Sequence, residues 1–290
     1  MGPTMKLLKI LEDTPAWKWP EETAEALLEV LNDRGAGEEE RLLAAALAGD
    51  MVVIDDALAD ALLAILRSGE EPERTRARAA ISLGPVLELC DSDGFDEPDD
   101  TAITELTFRE IQETLRKLYP DAGIPKVVRR RILEAAVRAP LDWHQDAARA
   151  AFASDDEEWR LTAVFCMRFV QGFDEQILAS LDSENPAIHA EAVLAAGSWG
   201  LQAAKPHVLG LVHGRNTEKR LLLAAIEAVG GICPEDAPEE LADLEDSDDP
   251  EISEAVAEAT SFARLGDEDP EGDDDPEDED PDDEGPRTLH

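Results

Sequence analysis

Three histidines, His189, His207 and His213, lie close enough in sequence to suggest a transition-metal set, because neutral imidazole is a common ligand for such ions. That chemistry needs all three rings to turn toward one point. His189 falls in a helical column otherwise held mostly by arginine, so a structural role is the expectation for it. The run Asp91-Ser92-Asp93-Gly94-Phe95-Asp96 is similar to part of a calcium loop. It lacks the third carboxylate before the glycine and a well-placed closing Glu, and reads as a solvated acidic loop. Cys90, Cys166 and Cys233 are odd in number, widely spaced and free of any CxxC pair. They frame no disulfide scaffold, which points to a reducing, cytoplasmic compartment. No phosphate-cradling glycine loop, HExxH motif or Ser/Cys nucleophile signature occurs. The expectation is therefore no catalytic residue, no metal and no cofactor.

Charge narrows the function classes further. The 290 residues hold 68 acidic against 26 basic side chains, a formal net charge of −42. Residues 266–290 contain 14 acids and one Arg, or −13, so −29 remains on residues 1–265. A body this acidic disfavours nucleic acid and anionic membrane and favours a basic protein partner. Adaptation to salt is the alternative source of the acidity. No apolar stretch approaches the roughly 20 residues of a membrane span, and the run Met5–Leu11 is too short for a signal peptide. The densest basic run is Lys126, Arg129, Arg130, Arg131 and Arg138. Lys126, Arg130 and Arg131 form a candidate basic patch for the acidic tail or an acidic partner, against the plainer expectation of a solvated helix face.

These side chains are carried by helices. Hydrophobic residues make up 43% of the chain but aromatics only 4%, so the core must be built from Ala, Leu, Val and Ile. Ala and Leu favour helix, and strand-forming alternation is scarce. Asn185-Pro186 and Asp249-Pro250 mark helix starts, with a capping side chain ahead of proline. Trp19-Pro20, Glu71-Pro72 and Ile124-Pro125 open helices in the same way.

The helices repeat. Seven anchors, Glu40, Thr75, Val128, Trp159, Ile188, Lys219 and Ile252, are each followed by a matching residue: Arg41, Arg76, Arg129, Arg160, His189, Arg220 and Ser253. Four positions after the anchors stand Ala44, Ala79, Ile132, Ala163, Ala192, Leu223 and Val256. Seven after stand Leu47, Ser82, Ala135, Cys166, Ala195, Ile226 and Ala259. The successive spacings are 35, 53, 31, 29, 31 and 33, each the difference of two anchor numbers. The long step holds the acidic insertion 91–103 and an apparent extra amphipathic helix, Phe108 to Tyr119. A second helix follows each first one, for example Asp174 to Leu181, Ala203 to Val212 and Glu239 to Leu244. Helical pairs this short cannot bury their apolar faces alone and must stack on neighbours.

The runs Asn185-Pro186-Ala187-Ile188-His189-Ala190-Glu191-Ala192-Val193 and Asp249-Pro250-Glu251-Ile252-Ser253 resemble the first helix of the HEAT repeat. The short period is similar to the bacterial HEAT-like repeats of phycobilin lyases. The resemblance covers residues 38–265 and implies an all-α, right-handed α-solenoid of the HEAT/armadillo type. Residues 1–37, with a helix at 21–33, read as an N-terminal helical cap, and residues 266–290 as a disordered acidic tail. The resemblance also implies a non-enzymatic scaffold or adaptor. A lyase-like or chaperone-like subunit acting on a tetrapyrrole-bearing or other client is the alternative. Second helices in such arrays line the concave, ligand-facing side. The implied interaction surface is Trp143, His144, Gln145, Asp174, Glu175, Gln202, Lys205, Glu235, Asp236 and Glu239. The Arg column would bond to adjoining repeats. Trp159 reads as core, and Trp143 and Trp199 as packing residues or interface anchors.

Overall fold

The computed structural model describes residues 2–95 and 101–267. The acidic tail from residue 268 on, and positions 96–100 of the expected insertion, lie outside the described residues. Among the described residues every regular element is a helix. In chain order these are α1 (Pro3–Glu12), α2 (Thr23–Asn32), α3 (Glu38–Leu47), α4 (Asp56–Arg67), α5 (Glu73–Ser82), α6 (Gly84–Asp93), α7 (Glu105–Leu118), α8 (Lys126–Ala136) and α9 (Asp142–Phe152). They continue as α10 (Glu157–Cys166), α11 (Asp174–Ser180), α12 (Pro186–Ser198), α13 (Lys205–Val212), α14 (Lys219–Ile232), α15 (Ala237–Glu240), α16 (Ala242–Glu245) and α17 (Pro250–Asp267).

The anchors all fall on first helices: α3, α5, α8, α10, α12, α14 and α17. Each of these packs on the next in that order, and α1 packs on α3. The second helices α4, α9, α11 and α13 each pack on the first helix that follows them. This is an α-solenoid. The Ala-rich columns explain it: Ala44, Ala79, Ile132, Ala163, Ala192 and Val256 are buried, as are Ser82, Ala135, Cys166, Ala195, Ile226 and Ala259. Small side chains let the backbones come close, so each pair covers its apolar face with the neighbouring pair. The buried residues form two contiguous stretches, one centred on α3–α5 and one on α10–α14, that meet at α8.

Helix starts follow the capping chemistry. The Asn185 carboxamide oxygen accepts from the amides of Ala187 (2.9 Å) and Ile188 (3.3 Å), and Asp249 Oδ1 accepts from Glu251 N (3.1 Å). Pro72 and Pro125 stand at the N-cap rather than inside the helix. The Trp19-Pro20 segment opens its helix later than expected, at Thr23.

The Arg column does structural work in the first half of the array. Arg41 Nη2 donates to the carbonyl of Leu31 (2.9 Å), Arg76 Nε to that of Leu66 (3.1 Å), and Arg129 Nε to that of Tyr119 (2.8 Å). Each acceptor lies ten residues upstream, at the C-terminal end of α2, α4 or α7, where carbonyls have no intrahelical donor. Arg41 also pairs with Glu71 (2.7 Å) in the next repeat. This spacing corrects one expectation. Because Tyr119 ends α7 as Leu66 and Leu31 end α4 and α2, α7 fills the second-helix slot, and the inserted helix is α6. Asp91, Ser92 and Asp93 belong to α6, which stops at Gly94 with φ of 72°, so they are helical rather than loop.

Ion pairs repeat with the same period. Lys126, at the start of α8, pairs with Asp156 (2.8 Å) and Glu158 (2.6 Å) at the start of α10. Lys219, at the start of α14, pairs with Asp249 (2.7 Å) and Glu251 (3.0 Å) at the start of α17. In both, one ammonium joins the N-terminal ends of two stacked helices.

Candidate functional site

The residues expected on the second-helix ridge lie at or just before the starts of α9, α11, α13 and α15. Asp174, Glu175, Gln202, Glu235, Asp236 and Glu239 are exposed, Trp143, Gln145 and Lys205 are half-buried, and His144 is buried. Several of them join repeats. Gln145 Nε2 donates to the carbonyl of Gln171 (3.3 Å), Gln202 Nε2 donates to that of Ile232, and Lys205 pairs with Asp236 (2.6 Å).

His144 departs from the surface expectation, while the half-buried Trp143 takes the packing role that was one of its two readings. Trp143 packs on Tyr119 with ring centroids 5.3 Å apart, and on His144 at 3.8 Å. His144 is 1% exposed, and its Nδ1 accepts from the Leu141 amide (2.8 Å), closing the start of α9. Desolvation lowers its pKa to about 4. The unfolded ring takes up its proton near pH 6.5, whereas the folded ring refuses it until about pH 4. The neutral ring's contribution is therefore complete above pH 6.5 and lost as the pH falls toward 4. Gln in its place keeps a side chain able to accept from Leu141 N. The stability difference between wild type and His144→Gln, from urea unfolding, should move against the wild type by up to about 3 kcal/mol across that window. A constant difference would show that the ring titrates normally.

The candidate basic patch is neutralised. Lys126 is held by Asp156 and Glu158. Arg130, buried at 6% exposure, donates through Nε to Thr162 Oγ1 (2.9 Å) and pairs through Nη1 with Glu158 (3.2 Å). Arg131 reaches solvent but bonds Glu134. Acids of the following repeat claim Lys126 and Arg130, and Glu134 of the same helix claims Arg131.

The histidines do not converge. His189 Nε2 and His207 Nε2 face each other at 2.8 Å, joining α12 to α13, while His213 Nε2 approaches Glu240 Oε2 (3.5 Å). Trp199 Nε1 donates to the carbonyl of Met167 (2.6 Å), and Trp159 lies half-buried beneath the guanidinium of Arg129 at 5.6 Å. The three thiols are buried, and burial pushes each above its ordinary value.

A groove of about 690 Å³ opens on the row of first helices, between α12, α14 and α17. Its floor is apolar: Ala190 and Leu194 from α12, Leu223 and Ala224 from α14, Ala255 and Ala259 from α17. Four carboxylates, Glu227, Glu251, Glu254 and Glu258, line it against a single cation, Arg220. Glu227 is paired with Arg168 (3.1 Å) and Glu251 with Lys219. Among the described residues Glu254 and Glu258 have no basic partner, and both are exposed. Beside the groove Glu191 is enclosed between Arg168 (4.0 Å) and Arg220 (3.5 Å); desolvation raises its pKa, and the two arginines oppose the rise.

Residues 174–261, from α11 into α17, match the sequence profile described as HEAT repeats. Residues 174–261 carry HEAT repeats. The matched HEAT segment is the part that builds the groove. Among solved structures, human deoxyhypusine hydroxylase in complex with glycerol is 15% identical, with 90% of each chain covered and a TM-score of 0.40. YibA of E. coli is 14% identical, covering 90% of this chain and 92% of its own, also at 0.40. An engineered protein is 15% identical, covering 89% of this chain and 78% of its own, again at 0.40. Likeness at this level carries no inference about activity. No curated protein matches the chain. No helix among the described residues is long and apolar enough to cross a membrane.

The groove was missed in sequence because its walls come from three HEAT helices. One cue was available: the last first helix spaces Glu251, Glu254 and Glu258 at i, i+3 and i+7, one face of a helix.

Proposed function

We propose that this chain is a non-enzymatic HEAT-repeat scaffold or adaptor whose acidic surface receives a basic segment of another protein. One observation carries the reading: the groove between α12, α14 and α17 has an apolar floor and a rim of four carboxylates against one arginine. An amphipathic helix bearing Lys and Arg meets both requirements. Its apolar face covers the Ala/Leu floor, and its cations meet Glu254 and Glu258, the rim carboxylates with no basic partner among the described residues. The charge of the remaining body, −29 over residues 1–265, steers such a segment from a distance. Raised thiol pKa values support the non-catalytic part, since thiolate is the nucleophilic form of cysteine.

Fluorescence anisotropy with a labelled Lys/Arg-rich amphipathic peptide tests the proposal. Binding is expected to weaken as salt rises. Glu254→Gln/Glu258→Gln should weaken it by roughly three- to tenfold at low salt, the effect of removing two exposed ion pairs. Peptide binding that ignores both the salt and the double substitution would sink the proposal.

A further inference from the structure

The first helix of the described array leaves an apolar face uncovered. α1 buries Leu8 and Leu11 against α3. Its other side exposes Leu7 (41%) and Ile10 (53%), and Trp17, just beyond the helix, is 77% exposed. Lys6, Lys9 and Lys18 stand beside them in sequence, all exposed, with Lys9 pairing with the exposed Glu12 on its own helix (2.6 Å). Residues 2–20 hold these three lysines against Glu12 and Asp13, so this end is net positive (+3 − 2) in a chain of net charge −42. An exposed apolar patch with a charged rim is the signature of an interface.

The opposite end of the row has complementary features. α17 packs on α14, α15 and α16. Its exposed side carries Glu254, Ala257, Glu258 and Ser261. Junctions between first helices inside the array use small residues for close approach. A Cβ on Gly197 of α12 would stand 2.6 Å from Ala228 Cα of α14, and one on Gly230 of α14 would stand 3.1 Å from Ala259 Cα of α17. Ala257 and Ser261 present the same kind of surface outward, flanked by carboxylates.

We infer that α1 of one copy stacks on α17 of a second copy, continuing the row of first helices across molecules. Leu7 and Ile10 cover Ala257 and Ser261, while Lys6 and Lys9 approach Glu254 and Glu258. The contact is head-to-tail, so each molecule keeps one free end of each kind and the assembly is open. Net charge of the same sign on both copies opposes the contact over long distances, so moderate salt should strengthen it until the lysine–glutamate pairs are themselves screened.

Sedimentation velocity of the full chain from low-micromolar to near-millimolar concentration tests this. The mean mass is expected to rise with concentration from the 31.6 kDa of one chain to at least twice that value. Leu7→Asp/Ile10→Asp and Glu254→Lys/Glu258→Lys should each hold the chain at the monomer mass. Mixing the two variants leaves one intact junction between unlike partners, so the mixture should stop at dimers. A wild type that stays monomeric throughout overturns the inference, as does association that survives the α17 substitutions. Leu7→Asp/Ile10→Asp leaves the α12/α14/α17 groove intact, and its unchanged binding of the basic peptide separates failure of self-association from failure of the scaffold reading. Circular dichroism on both variants confirms that they fold.

Discussion

Gly197→Leu should cost the fold about 2–3 kcal/mol, the upper part of the usual range for overpacking, even though leucine is the better helix former by roughly 0.8–1 kcal/mol. The reason lies in what the new side chain meets. A Cβ at Gly197 would stand 2.6 Å from Ala228 Cα and 3.0 Å from Ala228 Cβ. Those atoms are the backbone and first carbon of α14, so nothing flexible can yield. α14 would have to move away from α12, opening the buried layer of Ala192, Ala195, Ala225 and Ala228. Gly210 is the control. It lies inside α13 with nothing within 4 Å of a built Cβ, so Gly210→Ala should gain about 0.5–1 kcal/mol through lower unfolded-state entropy and better helix propensity. Urea unfolding of both variants checks the pair. Equal effects of one sign would mean that the α12/α14 contact is looser than described.

The second large effect is expected at the charge cluster joining α8 to α10. Glu134 is 4% exposed; its Oε1 accepts from Thr162 Oγ1 (2.6 Å), and it bonds Arg131 on its own helix. Arg130 completes the cluster through Thr162, with its Nη2 3.9 Å from Glu134 Oε1. Removing one partner of a buried pair leaves a charge without compensation, at a cost of about 3–5 kcal/mol. Arg130→Met should fall near 3 kcal/mol, because Arg131 still reaches Glu134. Arg130→Met/Glu134→Leu should recover most of that loss, since both charges go and apolar surface replaces them. Urea unfolding of the two single variants and the double variant gives the coupling directly. Purely additive losses would show that the two side chains act independently.

Legibility from sequence followed how local each cause was. Asn185 and Asp249 cap their helices because a side chain two or three residues away from an open amide is a local fact. The repeat was legible because each copy must offer small apolar residues at the same two positions. Arg41, Arg76 and Arg129 shared a column for a reason that depends only on one helical pair: each reaches the carbonyl end of the helix before it. The inserted helix was misassigned because α7 carries a strong amphipathic pattern and α6 a weak one, so the end of α6 read as loop and α7 as the extra helix. The Arg129 contact with Tyr119 is what distinguishes them. His144 read as a surface residue at a helix start, yet it is 1% exposed against the Trp143 ring, which itself packs on Tyr119 at the end of α7.

The candidate sites were less legible for the same reason. Arg130 and Lys126 form a basic run along the chain, but Glu158 and Asp156, about thirty residues on, cancel it in space. The groove's six floor residues are spread over three helices from Ala190 to Ala259. The sequence alone determined that this chain is helical, repeating and acidic, because propensity, period and charge are carried by each residue or by near neighbours. Tertiary structure decided which charges remain unpaired and which apolar faces remain uncovered. Those properties depend on what the adjoining repeat places opposite each side chain, and that neighbour lies about thirty residues away.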